Sequence, residues 1–133
     1  MKESKSLADS RASAERFARP DFDRQQRNGV PEVILTNSKT AEQSLAIARA
    51  FVERTGRAIL SRVSAELEQA LIEAYGRDGF EWHPVSRVAV IRREDAQPPQ
   101  TGGRVAVITA GTSDQAVAEE AAVICREMGC TVY

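Results

Sequence analysis

The stretch TAEQSLAIARAFVERTGRAILSRVSAELEQALIEAYG, Thr40 to Gly76, decides the fold. Its first four residues, Thr40-Ala41-Glu42-Gln43, form a capping box. The Thr40 hydroxyl can accept from the Gln43 amide while the Gln43 side chain reaches back to the Thr40 amide. Behind it Leu45, Ala48, Phe51 and Val52 recur at helical spacing, and Gly56 supplies a left-handed stop. Ala58 to Val63 reads as a strand. Ser64 then caps a second helix with an apolar stripe of Leu67, Ala70, Leu71, Ala74 and Tyr75, ending at Gly76.

Working outward, Glu32 to Leu35 reads as a strand before the first of these helices. Asp21 to Asn28 predicts a short helix stopped by Gly29, and Leu7 to Phe17 a loosely held polar one. On the other side Phe80 to His83 and Arg87 to Ile91 read as strands. The order is β-α-β-α-β-β, a small α/β sandwich.

The chain has 133 residues, 42% hydrophobic and 28% charged, with a net charge of −1. That suits one domain or one and a fraction. Near-neutrality argues against nucleic acid as main partner. No apolar run has the roughly 18 residues of a membrane span, and the N-terminus shows no secretory signal. Two cysteines, Cys125 and Cys130, fit free thiols in a reducing compartment, so a cytoplasmic location is expected.

Charge is uneven. Sixteen Lys and Arg and 15 Asp and Glu precede Ala96, against 2 and 4 from there on. The prolines and glycines of 96–103 mark a linker between an N-terminal α/β domain, 1–95, and a second unit, 104–133. That unit opens with Arg104 to Thr109, apolar on both faces like a buried parallel strand. A helix follows with Val117, Ala121, Ile124, Cys125 and Met128 on one stripe, then Gly129 and a strand at Cys130 to Tyr133. One β-α-β cannot cover both faces of a parallel sheet, so the expectation is an incomplete domain whose stripe packs on the first unit or drives oligomerisation.

Chemistry concentrates at the turn between Thr109 and Asp114. A strand running through Gly111, Thr112 and Ser113 into a helix aims backbone N–H groups and hydroxyls at one point, where the helix dipole favours phosphate or carboxylate. The alternative is that Ser113 or Asp114 is only an N-cap. Walker and dinucleotide fingerprints are absent. Arg24 and Arg27, in a cluster with Arg16 and Arg19, share one face of a short helix and could clamp a phosphate; a self-neutralised charged face is the plainer reading. Glu81 and the single histidine, His83, alternate onto one strand face, an acid/base pair or an ordinary surface pair. The cysteines and His83 make no zinc pattern.

DFDRQQRNGVPEVI (Asp21–Ile34), Lys39-Thr40, Glu42-Gln43, His83-Pro84, TGGRVAVITAGTSD (Thr101–Asp114) and VAEEAA (Val117–Ala122) together resemble the LarB family, relatives of the purine enzyme AIR carboxylase (PurE), sometimes labelled circadian phase modifiers. The resemblance covers about Pro20 to Tyr133. It implies a PurE-like, flavodoxin-type three-layer domain beginning at 104–133, and a synthase that carboxylates nicotinic acid adenine dinucleotide with CO₂ or bicarbonate and hydrolyses its phosphoanhydride, releasing AMP. It further implies no covalently bound cofactor, leaves Mg²⁺ open, and points to a homo-oligomer. Gly111, Thr112 and Ser113 would bind the nucleotide, with Arg24 and Arg27 as further phosphate contacts, and Asp114 would lie nearest the reacting carboxylate. The family's reactive cysteine has no match in Cys125 or Cys130, and its Gly-x-Gly before Lys-Thr is replaced by Thr36-Asn37-Ser38, so the 133 residues are expected to be an N-terminal portion with little activity alone. Alternatives are a non-catalytic interaction module and an aminoimidazole ribonucleotide carboxylase or mutase relative.

Overall fold

The computed structural model describes Ala12 and residues 18–133; the helix expected over Leu7–Phe17 and the position of Arg16 lie outside these. Four strands form a sheet in the order β1 (Val33–Leu35), β2 (Arg57–Ser61), β4 (Val88–Arg92), β3 (Glu81–His83). The β1–β2 pair is parallel, as the crossover through helix α2 (Ala41–Thr55) requires, and β4 runs antiparallel to both β2 and β3. Helix α1 (Arg24–Asn28) precedes the sheet and α3 (Ala65–Tyr75) links β2 to β3. The expected β-α-β-α-β-β order is therefore the observed one, and the chain is a mixed α/β fold.

The caps explain the element ends. Both halves of the Thr40–Gln43 box are made, at 3.1 and 3.0 Å, and Gly56 takes φ +83 with its N–H on Val52. Ser64 accepts from the Leu67 amide. Strand β2 ends at Ser61, short of the expected Val63, because Arg62 adopts φ +61 and turns the chain. The hydroxyl of buried Thr36 donates to the carbonyls of Ser61 and Arg62, both at 2.9 Å, so this threonine braces the turn where the LarB resemblance led one to look for glycine.

All five residues of β2 are buried, because both sheet faces are covered. Ala58 and Leu60 of β2 and Ala89 and Ile91 of β4 join Ile47, Phe51, Leu67 and Leu71 in the larger core beneath α2 and α3. The alternate residues, Ile59, Val88 and Val90, face the other way and meet Val123 of helix α4 (Gln115–Glu127). Period-two alternation thus feeds two cores from the same strands. The second core is closed by a helix from beyond the 96–103 linker.

Two expectations for 104–133 are corrected. The long buried strand is only β5 (Arg104–Val105), paired in parallel with β6 (Thr131–Val132), and Ile108 is 89% exposed. Val105 and Val107 are only partly buried, and the apolar run beyond them is open to solvent. The buried face of α4 is also not the predicted stripe: Val117 is 70% exposed, while Val123 and Glu127 are buried. Carboxylates on this helix find partners on the sheet, and those contacts set the face it turns inward. The helix does pack on the first unit, through Val123 with Ile124 of the expected stripe beside it.

Candidate functional site

The Gly111–Asp114 loop leaves the β5–β6 pair after a last ladder bond, Val107 N–H to the Tyr133 carbonyl at 3.0 Å. Gly111 holds φ +129, and a Cβ there would meet nothing within 4 Å. The loop is exposed throughout. Asp114 occupies the N-cap position of α4, yet its carboxylate makes no capping bond. Among the described residues the Thr112 and Ser113 hydroxyls likewise have no protein partner. First-turn amides and two hydroxyls therefore remain open to an anion.

Arg24 and Arg27 are placed elsewhere and are already engaged. Arg24 pairs with Glu32 at 3.3 Å and Arg27 with Asp21 at 2.5 Å. The Arg27 hydrogen bond holds the Asp21 carboxyl below its ordinary value, and Asp21 raises Arg27 in return. Among the described residues no hydrogen bond or ion pair joins these arginines to Gly111–Asp114. Both ion pairs lie at the surface.

The densest polar cluster lies where α4 meets the sheet. Glu127 is 1% exposed, and its carboxylate is held from two sides. Arg57 at the start of β2 donates to its Oε2 at 2.9 Å and to its backbone carbonyl at 2.7 Å, and also to Gln25 Oε1 at 2.6 Å. Arg92 at the end of β4 binds the other oxygen and continues to Glu81 Oε2 at 2.8 Å. Glu81 Oε1 then meets His83 Nε2 at 2.6 Å. Partial burial pushes the Glu81 carboxyl up, but Arg92 and His83 outweigh it and hold it below the usual range. Burial likewise opposes the charge on Arg92, and Glu127 and Glu81 outweigh that too.

Higher on α4, Glu119 accepts from the Ser86 amide at 2.6 Å and Glu120 from the Ser61 hydroxyl. Burial raises the Glu119 carboxyl, whereas its contacts with Ser86, and His83 and Arg126 nearby, hold it low. An open cleft of about 560 Å³ borders the cluster, with Glu81, Arg92, Gln97, Arg126 and Cys130 among its walls.

Glu81 and His83 do share one strand face, as alternation predicts. Both Glu81 oxygens are in use, so the pair is the outer end of an ion chain rather than a free base. Arg57, Arg92 and Glu127 escaped sequence reading. One signal was available: Glu127 is an acid in the last turn of a helix, against the dipole, which calls for a cationic partner. Among the described residues no three or more His, Cys, Asp or Glu side chains converge to hold a metal. No described helix is long and apolar enough to cross a membrane.

Residues 12–94, more than half of the chain, match the family model described as LarB/PurE-like N-terminal domain. A curated relative, an uncharacterized protein of Methanocaldococcus jannaschii, is 29% identical over 107 residues, which are 76% of this chain. The chain spans 40% of that relative's length. Observed β-α-β-α-β-β topology and the family match agree: the chain belongs to the LarB/PurE-like N-terminal domain family.

Proposed function

We propose that this chain is the N-terminal portion of a LarB-like synthase, which carboxylates the pyridinium ring of nicotinic acid adenine dinucleotide and hydrolyses its phosphoanhydride. In that reaction a ring C–H becomes C–CO₂⁻ with loss of a proton, and water adds across the P–O–P bridge to release AMP. The observation that carries the reading is the Gly111–Asp114 loop, with unpartnered hydroxyls and open amides at the start of α4, in a chain of this family. Thr112 and Ser113 donate to phosphate oxygens, Gly111 lets the backbone come close, and Asp114, free of capping duty, accepts a hydrogen bond from the substrate. CO₂ or bicarbonate is the co-substrate. Arg24 and Arg27 are not assigned a role, since both are committed to local carboxylates.

Calorimetry of the chain with the dinucleotide and with AMP tests the loop: micromolar binding that Gly111→Val abolishes supports it, and no binding by the folded chain overturns it. Gly111→Val forces a β-branched residue into a left-handed conformation at an exposed site, so it alters the loop without touching the core. Turnover is read separately, in the protein extended through a complete PurE-like domain; absence of carboxylation there sinks the activity.

Exposed Ile108 and Val117 favour a second reading, an interaction module that self-associates through the β5–β6 side. Concentration-dependent oligomers that Ile108→Asp disperses, with no nucleotide binding, would select it.

A further inference from the structure

Helix α4 ends in a complete Schellman motif. Gly129, at φ +89, donates to the Arg126 carbonyl at 2.9 Å, and Cys130 donates to the Cys125 carbonyl at 3.0 Å. The two cysteines therefore occupy the positions whose side chains commonly touch across such a turn. A hydrogen bond of that length keeps their Cα atoms within about 7 Å of each other, given backbone bond lengths. Disulfides span roughly 4.4–6.8 Å between Cα atoms. Both thiols are free and only partly buried. Cys130 lines the open cleft, and its sulfur lies beside Gly103 and 3.9 Å from the Thr101 hydroxyl.

We propose that Cys125 and Cys130 are an oxidisable pair that closes into an intramolecular disulfide by exchange with a small disulfide such as oxidised glutathione. Cys130, as thiolate, attacks one glutathione sulfur and expels the first glutathione thiolate. Cys125 then attacks the Cys130 sulfur of the mixed disulfide and expels the second. Two protein thiols become one disulfide, and the two electrons and two protons leave on two glutathione molecules. Reversibility distinguishes this pair from a permanent framework, so it is compatible with a reducing compartment. The closed ring encloses Arg126, Glu127, Met128 and Gly129, and oxidation thereby stiffens the turn that carries the buried carboxylate of the ion chain.

The test is intact-mass spectrometry of the chain after incubation with oxidised glutathione, followed by alkylation of remaining thiols under denaturing conditions. Expected is a loss of two hydrogen masses, no alkylation, and an extent independent of protein concentration. Cys125→Ser and Cys130→Ser each stop at one glutathione adduct. Peptide mapping of the unaltered chain locates the link even where a variant fails to fold. A chain that stays a dithiol, retains glutathione on either cysteine, or becomes linked to a second chain overturns the proposal.

Discussion

Glu127 is a side chain whose removal is felt far beyond its own contacts. Truncating it strands Arg57, 7% exposed, and half-buried Arg92 without their shared counter-charge. Breaking a buried pair costs about 3–5 kcal/mol, so Glu127→Ala or Arg57→Ala should lower the denaturation midpoint by that equivalent. Arg27→Ala, at an exposed pair, should leave the midpoint in place. The pH dependence has a definite sign. Glu81 has a folded value below its unfolded one, so the unfolded state binds more protons in the window between the two. Its stabilising contribution is full above the ordinary carboxylate range and is lost as pH falls through the lower folded value. Glu81→Gln should therefore flatten the acid limb of a stability-versus-pH curve measured by urea titration. Little of this was legible beforehand, because Arg57 and Glu127 are 70 residues apart and only the fold brings them together.

Elements with local causes were read well. The Thr40 box, the Ser64 cap and the stops at Gly29 and Gly56 each depend on a few neighbouring residues, and each is present. Thr40→Ala should cost about 1 kcal/mol, measurable by chemical denaturation and by faster amide exchange in the first turn of α2. Gly56→Ala should cost more than a cap, since φ +83 is strained for alanine and a Cβ there would lie 2.4 Å from that of Ala96. Elements defined by what covers them were read poorly. Arg104 to Thr109 has the apolar run of a buried strand, but burial is supplied by partners and composition does not announce them. The inward face of α4 was misjudged for a related reason: hydrophobic periodicity favoured Val117 and Ala121, whereas long-range ion pairs favour Val123 and Glu127.

At the scale of the molecule, the Pro/Gly stretch 96–103 does not interrupt the second core, which draws Ile59, Val88 and Val90 from before it and Val123 from after it. Val123, with Ile124 beside it, is the apolar anchor of α4 on the sheet, and the polar contacts are carboxylates on arginines, a serine hydroxyl and an amide. Such a junction should release before the rest unfolds. Glu127→Ala should increase protease cleavage within Gln97–Gly103 while α2 and α3 keep their amide-exchange protection; uniform loss of protection would show that the molecule opens only as a whole.

Burial of β2 on both faces also has a temporal side. Strands β1, β2 and β4 can pair as soon as Arg92 has emerged from the ribosome, but Ile59, Val88 and Val90 stay wet until Val123 follows about thirty residues later. At roughly 5–20 residues per second, a nascent chain carries that apolar strip uncovered for a few seconds. The helix that completes the sheet thus also ends the interval in which the newborn domain is most open to aggregation.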